Sequence, residues 1–206
     1  GKSWDTHDVT IRNVIASSHG CGIVRMLCEN GAREYNITID GIKDTTQSIS
    51  GTTILMGTTD NHFADPPHSM PDFKNVVIRN ITTCSQRAIS IGETCRDILI
   101  ENVTTYGPNE VGIRFYENFE CENLTLRNLT FRSQKGTMDS VFWMNDNPNR
   151  VIKNLRVENV VVATPPKYMF RCTEFPVEDL RYDEAPTEGW FTPERTQLGR
   201  AYGRYH

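Results

Sequence analysis

The stretch KNVVIRNITTCSQRAISIGETCRDILIENVTTYG, residues 74–107, carries nearly the same phrase twice. NVVIRNITTC returns 22 residues later as DILIENVTTY, and the short run AISIG stands between the two copies. In each copy, apolar residues alternate with other residues up to an Asn. Alternation at a period of two, with many β-branched residues, predicts that both copies form strands.

The same phrase recurs along most of the chain, and its fifth position is Asn or Gly in each copy. Those positions are Asn13, Gly41, Asn80, Asn102, Asn128 and Asn159, at intervals of 28, 39, 22, 26 and 31 residues. Repeats of this size indicate a stacked array. Asn and Gly enter the left-handed backbone region at little cost, so each phrase is expected to bend there. Stacked in register, the Asn side chains would form a ladder of amide hydrogen bonds.

We therefore predict an all-β fold, a single-stranded parallel β-helix of about six rungs spaced ~4.8 Å apart. The alternation directs one set of side chains inward, among them Val9, Ile11, Ile98, Ile100, Leu124 and Leu126. A propeller or a sandwich is the rival fold. Neither accounts for insertions that avoid the Asn bends, and the intervals exceed the usual spacing of sandwich strands.

The chain is expected to form one domain. Residues 1–164 hold the rungs, and residues 165–206, where the period stops, would supply a last rung and an irregular C-terminal capping tail. The first repeat begins at Val9 without a comparable cap. We expect the open N-terminal end to be covered by a second copy of the chain, as a homo-oligomer, or by further N-terminal rungs.

Composition excludes several functions. A net charge of −4 over 206 residues provides no basic surface for nucleic acid. No run of about 18 apolar residues is present, so no membrane helix is expected. The six Cys form no CxxC pair, which argues against a zinc site, and no cofactor is expected. Cys95 and Cys121 would stack on adjacent rungs as buried thiols, because in-register parallel neighbours rarely offer disulfide geometry.

Five segments match the N-glycosylation pattern Asn-X-Ser/Thr, and they start at Asn36, Asn80, Asn102, Asn123 and Asn128. In each segment the bend Asn, or the residue that opens a strand, precedes an apolar–Thr pair. The repeat itself therefore explains the pattern better than sugar attachment does.

A second, shorter strand lies between successive phrases. When Met26, Met56, Ile91, Phe115 and Met144 are aligned as inward residues, the outward residues are Arg25, Leu55, Ser90, Arg114 and Trp143, and Arg171 extends this line. Arg binds carboxylates and Trp stacks on pyranose rings, so Arg25, Arg114 and Trp143 are predicted to bind an acidic sugar. The alternative is a solvated face on which the Arg residues are incidental.

Two positions after the inward residues, the same alignment holds three acids, Glu93, Glu117 and Asp146. Neighbouring rungs would place them ~4.8 Å apart at the backbone and the outer pair about twice that far apart. Those separations bracket the carboxylate distances of retaining and inverting glycosidases, and stacked like charges raise at least one pKa, as a general acid requires. The three acids are therefore the candidate catalytic residues. The alternative is three turn residues neutralised by nearby cations.

The segment TTDNHFADPPHSMPDFK, residues 58–74, is long and rich in Pro, and it is expected to form a wall beside the exposed strand. His62 and His68, with Asp60 and Asp65, lack a regular element that would fix the spacing of metal ligands, so no metal site is predicted. His19 precedes the first exposed strand and is a candidate substrate contact.

With these rungs the sequence resembles the pectin-lyase-like superfamily of right-handed parallel β-helices, and within it the polygalacturonases of glycoside hydrolase family 28. The likeness covers roughly residues 9–160. SQRAISIGETCRDILIEN is similar to the Gly-His-Gly rung of that family, and EVGIRFYENFECENLTLRNLTF is similar to its Arg-Ile-Lys rung. The resemblance implies a secreted or cell-surface protein that acts on acidic, pectin-like polysaccharide.

The catalytic acids of that family are not matched. Thr52 and Thr53 stand in the place of its Asp-Asp pair, and Gln86 and Arg87 replace its His. Arg114 alone matches the Arg and Lys that bind substrate in the family.

Three hypotheses of function stay open. The first is a carbohydrate-active, glycoside hydrolase-like enzyme, either a glycosidase or a polysaccharide lyase. The second is a non-catalytic module that binds a polysaccharide or oligosaccharide. The third is a structural β-helix, which could also be the C-terminal part of a larger enzyme.

Overall fold

A computed structural model describes residues 4–18, 22–27, 32–46, 51–57, 72–107, 110–145 and 149–172, with three short strand segments at 177–178, 181–182 and 196–198. His19, Asp146, most of the loop before Lys74 and most of the tail after residue 172 lie outside the described residues. None of the described residues belongs to a helix, so none of them forms a helix that could cross a membrane.

The described strands form two parallel sheets, and successive strands of the chain alternate between them up to β13. Sheet 1 consists of β1 (Thr6–Ala16), β3 (Glu34–Asp44), β5 (Phe73–Thr83), β7 (Thr94–Thr105), β9 (Glu120–Phe131) and β11 (Ile152–Val162), with β13 (Val177–Glu178) and β14 (Arg181–Tyr182) beside β11. Sheet 2 consists of β2 (Val24–Met26), β4 (Thr52–Met56), β6 (Arg87–Ile91), β8 (Val111–Phe115), β10 (Met138–Met144), β12 (Pro166–Cys172) and β15 (Thr196–Leu198). The prediction of an all-β, parallel, repeating fold is confirmed, and the arrangement is compatible with a parallel β-helix.

The predicted Asn bends line up along sheet 1. All six positions have positive φ, between 48° and 79°, and the residues that flank them pair in register from strand to strand. Asn102 Nδ2 donates to Asn80 Oδ1 at 3.1 Å, Asn128 to Asn102 at 3.1 Å and Asn159 to Asn128 at 2.9 Å. The predicted amide ladder is therefore confirmed over these four rungs.

A second ladder, which the sequence analysis did not predict, runs along the N-terminal part of the same strands. Its members also have positive φ, and they are Asp8, Asn36, Asn75, Asp97, Asn123 and Asn154. Asn36 donates to Asp8, Asn75 to Asn36, Asn123 to Asp97 and Asn154 to Asn123, all at 2.8–2.9 Å. Every Asn of the five N-glycosylation patterns belongs to one of the two ladders, which supports their structural interpretation.

The core lies between the two sheets and is filled by the inward columns. Of the residues predicted to point inward, Ile98, Ile100, Leu124 and Leu126 are buried, whereas Val9 and Ile11 of β1 are half-buried. The difference arises because β1 is the end strand of sheet 1, so no described strand covers its far side. Aromatic rings fill the core near β10: Phe142 stacks on Phe170 and meets Phe131 edge-on.

Cys95 and Cys121 pair in register on β7 and β9, and both are buried free thiols. The predicted thiol pair is therefore confirmed. Burial, together with the nearby carboxylates of Asp97 and Glu122, raises the pKa of the Cys121 thiol, so at neutral pH it stays protonated and unreactive.

One carboxylate is fully buried where β3 ends. Asp44 accepts hydrogen bonds from Ser85 Oγ at 2.5 Å, Thr53 Oγ1 at 2.6 Å and the backbone N–H of Thr46 at 2.8 Å. Burial raises the pKa of Asp44, but the hydrogen bonds from Ser85, Thr46 and Thr53 outweigh it and hold the pKa below its usual range. Asp44 thus ties β3 to β4 and to the residues that follow β5.

Candidate functional site

The outward residues of sheet 2 form one line across the rungs, as predicted. Strand register joins each residue to the next in the order Arg25, Leu55, Ser90, Arg114, Trp143 and Arg171, which we call the strip. Arg25 is exposed, Ser90 is buried and the other four are half-buried. The alignment is confirmed, while the roles of these residues stay a prediction.

Sheet 2 bends in the middle of its strands. In four strands two consecutive side chains are buried, namely Thr53 and Ile54, Ala88 and Ile89, Val141 and Phe142, and Met169 and Phe170. Consecutive side chains of a strand normally point to opposite faces, so these pairs depart from a flat strand. Thr52 pairs with Arg87, three register positions from Ser90, so contact between Thr52 and Ser90 requires a bend that makes the outer surface concave. The hydroxyl groups of Thr52 and Ser90 hydrogen-bond at 2.9 Å across this concave surface.

The bend brings a second column of side chains beside the strip. Its members pair in register and are Thr52, Arg87, Val111, Ser140 and Tyr168. We call the concave surface between this column and the strip the groove. The groove places Arg87 near Arg114. The sequence analysis named Arg87 only as a replacement for the family's His, because a strict period-two alternation does not reveal a bend.

Trp143 lies between two guanidinium groups. The Cζ atoms of Arg114 and Arg171 lie 4.4 Å and 4.8 Å from the centroid of its ring, and they come from the rungs on either side. Because rungs are only ~4.8 Å apart, each neighbouring Arg covers one face of the indole. The structure therefore differs from the expectation that Trp143 offers a face to a pyranose ring, since only the ring edge can meet a ligand in this arrangement.

Arg114 is a partly buried cation whose ring and hydrogen-bond contacts are with neutral groups. Its guanidinium also lies 4.7 Å from the ring centroid of Tyr116, and its Nε donates to Asn145 Oδ1 at 3.3 Å. Burial lowers the pKa of Arg114 and the charge of Arg87 lowers it further, whereas Tyr116 and the carboxylate of Glu117 raise it in part. An Arg side chain nevertheless stays protonated, so the groove holds two like charges close together.

Arg87 has an unsatisfied donor. Its Nη2 donates to Gln86 Oε1 at 3.2 Å, but its Nε is buried without a hydrogen-bond partner. Buried donors are normally satisfied, and an orphaned one costs about 1–3 kcal/mol. Neither Arg87 nor Arg114 forms an ion pair with a carboxylate among the described residues.

The outer face of sheet 1 shows the opposite pattern. Arg79 pairs with Asp40 at 2.9 Å, Arg127 with Glu101 at 2.6 Å and Arg96 with Glu122 at 2.5 Å, each on a neighbouring rung. These Arg residues are neutralised within the protein. Arg87 and Arg114 differ from these three Arg residues because they form no ion pair with a described carboxylate, whereas Arg171 of the strip pairs with Asp139 at 2.7 Å.

The candidate catalytic acids do not stack as predicted. The backbone N–H of Glu120 donates to Glu93 O, because Glu117 and Asn118 form a turn that shifts the register. The Glu93 side chain extends toward the preceding rung, where its Cγ lies 2.8 Å from the place that a Cβ on Gly57 would occupy. The Glu117 side chain extends the other way, and its Oε2 accepts a hydrogen bond from Asn145 Nδ2 of the following rung at 2.9 Å. The expectation of an in-register Glu93–Glu117 pair is therefore wrong, and Asp146 lies outside the described residues.

Two further sequence predictions, the substrate contact at His19 and the wall formed by the loop with His62 and His68, concern residues that the structure does not describe. Within the described part of the chain, no group of three or more His, Cys, Asp or Glu side chains could hold a metal ion. Comparison of the chain with protein-family models, with curated proteins and with solved structures found no match.

Proposed function

We propose that the chain binds an acidic polysaccharide in the groove. The observation that carries this proposal is the pair of guanidinium groups of Arg87 and Arg114, which act on each other electrostatically and form no ion pair with a carboxylate among the described residues. Keeping two like charges together in a partly buried place is unfavourable. A carboxylate or sulfate of a ligand would offset the repulsion and accept the orphaned Nε–H of Arg87, as guanidinium groups do with oxyanions.

The shape of the groove favours an extended ligand. From Arg25 to Arg171 the strip crosses six strands, which corresponds to about 24 Å at the rung spacing. Arg residues stand at both ends and in the middle of this length, and the edge of Trp143 lies between Arg114 and Arg171. A chain of several sugar units would contact all of these groups, whereas one small anion would reach only one of them.

The finer description of the fold belongs to the same proposal. We infer a right-handed single-stranded β-helix, because crossovers between parallel strands of one sheet are almost always right-handed. The pectin-lyase-like superfamily, and the polygalacturonases within it, remain the family that this sequence resembles. We also propose that the protein is secreted or held at the cell surface, and that a second copy or further rungs cover the edge of β1.

Replacing Arg114 with Ala should weaken binding of acidic glycans about tenfold or more. A lost charge-assisted hydrogen bond costs about 1.5–3 kcal/mol, and 1.4 kcal/mol corresponds to a factor of ten in affinity. Titration of carboxylated and sulfated oligosaccharides by calorimetry measures the change. Arg96→Ala is the matched control, since it removes the same charge from sheet 1, and it should bind like the unchanged protein. Equal affinity in both variants would refute the groove as the binding site.

Cleavage of the bound glycan is the second candidate function. It is favoured by a hydrogen-bonded chain from Arg114 through Asn145 to Glu117, which places one carboxylate beside the groove. Incubation with polyuronides should release reducing ends whether the protein is a hydrolase or a lyase, and a lyase would in addition produce the ultraviolet absorbance of an unsaturated uronate, which a hydrolase would not. Glu117→Gln should then abolish turnover while affinity stays within a few-fold. Binding without either product would favour the non-catalytic module, and absence of binding would favour the structural one.

A further inference from the structure

A cavity of about 520 Å³ lies next to the column of groove residues that contains Ser140 and Tyr168, and it is lined by the residues directly before them, Asp139 and Lys167. Its charged lining consists of Glu110, Lys135, Asp139 and Lys167, and Pro165 and Pro166 form part of its wall. Glu110, Asp139 and Lys167 come from successive rungs, each next to a member of that column. The cavity therefore lies at the level of β8, β10 and β12, where the groove holds Arg114, Trp143 and Arg171.

Three of the four charged groups in the cavity are neutralised by the protein itself. Glu110 forms an ion pair with Lys135 and also accepts from Gln86 Nε2 at 2.5 Å, and Asp139 pairs with Arg171 at 2.7 Å. The hydrogen bond from Lys135 holds the pKa of Glu110 below its usual range. Glu110 therefore stays ionised and is a poor general acid.

Lys167 is the charged group of the cavity that forms no ion pair with a carboxylate among the described residues. Its Nζ lies 5.0 Å from the ring centroid of Tyr168, and the side chain is exposed and lines the cavity. With the other charges balanced in pairs, the cavity presents one positive charge to an incoming group. An anionic group is the ligand chemistry that this arrangement favours.

We propose that the cavity is a second anion subsite for the same acidic polysaccharide that the groove binds, with Lys167 holding a carboxylate or sulfate of the chain. The inference rests on the proposed function. The rungs of Arg114 and Lys167 are two apart, roughly 10 Å along the stack, and Lys167 is four residues from Arg171, at most about 13 Å along β12. A ligand with a single acidic sugar cannot span this separation, whereas a short oligomer can.

If the ligand binds at both subsites, its affinity should depend on the length of the oligosaccharide. When one acidic group is held at Arg87 and Arg114, the second group binds Lys167 at a high effective concentration, so the gain is large without any new contact type. Affinity should rise at least tenfold between a monosaccharide acid and an oligomer of about four acidic residues. Further lengthening should add less, because the two subsites are then occupied.

The test titrates galacturonic acid oligomers of increasing length, and a sulfated series, against the unchanged protein, Lys167→Ala and Lys153→Ala. Lys153 lies exposed on sheet 1 and serves as the matched control. We expect Lys167→Ala to lose the gain with length while its affinity for the monosaccharide stays the same, and Lys153→Ala to keep the gain. Retention of the full gain in Lys167→Ala would overturn the subsite and leave the groove in place. Failure of every oligomer to bind the unchanged protein would overturn the proposed function itself.

Discussion

Phe142→Ala is expected to lower the free energy of unfolding by about 3–5 kcal/mol, the usual cost of truncating a buried Phe. The ring is fully buried, stacks on Phe170 with 4.9 Å between centroids and meets Phe131 edge-on at 6.2 Å. These contacts join sheet 2 to the end of β9 in sheet 1. Their removal leaves a cavity between strands that pair only with their neighbours, and a stack of rungs has few other contacts to compensate.

The loss should be measured by urea denaturation together with native-state hydrogen exchange. Because stacked repeats can unfold in parts, exchange should accelerate in β8, β10 and β12 more than in β3 and β5. Phe142→Leu, which keeps most of the volume, should cost less than about 1.5 kcal/mol, and Val161→Ala on the outer face should cost about 0.5 kcal/mol or less. A Phe142→Ala variant as stable as Val161→Ala would contradict the packing described for this core.

The repeat could be predicted from the sequence because every repeat carries the same two signals. Period-two alternation identifies the strands, and the recurrent Asn identifies a bend that other residues adopt only with strain. The register of neighbouring strands follows from the same pattern, so the alignment of outward residues from Arg25 to Arg171 could be predicted from the sequence. The second ladder was missed because its members, such as Asp8 and Asp97, open the strands with mixed residue types.

The site was predicted less well than the fold, and the reasons are local. The turn at Glu117 and Asn118 shifts the register by an amount that alternation cannot show. Arg87 reaches the groove because sheet 2 bends between the column of Thr52 and the strip. The stacking of Arg114 on Trp143 follows from the rung spacing, but which face a side chain covers depends on its rotamer rather than on sequence position.

Asp44→Ala is expected to cost about 3 kcal/mol at neutral pH. The variant removes the acceptor of the Ser85 and Thr53 hydroxyl groups and of the Thr46 N–H, and buried donors left without a partner cost about 1–3 kcal/mol each. The hydrogen bond from Tyr106 to the backbone oxygen of Asp44, 3.0 Å long, is retained. Equilibrium denaturation at pH 7 therefore measures the contribution of the carboxylate itself.

The same carboxylate predicts a pH dependence with a definite sign. Because the pKa of Asp44 is lower in the folded protein than its usual value of about 3.9, its contribution is complete above that value. The contribution is lost as the pH falls through the folded pKa. Stability of the unchanged protein should decline on acidification below about pH 4, and Asp44→Asn should flatten this decline. Asp40→Asn, on the outer face beside Arg79, should cost about 1 kcal/mol or less. No other described group accepts hydrogen bonds from those three donors at once. The prediction would therefore be contradicted if Asp44→Asn lowered the free energy of unfolding no more than Asp40→Asn and kept the full decline of stability below about pH 4. That result would show that the buried carboxylate does not hold the two sheets together.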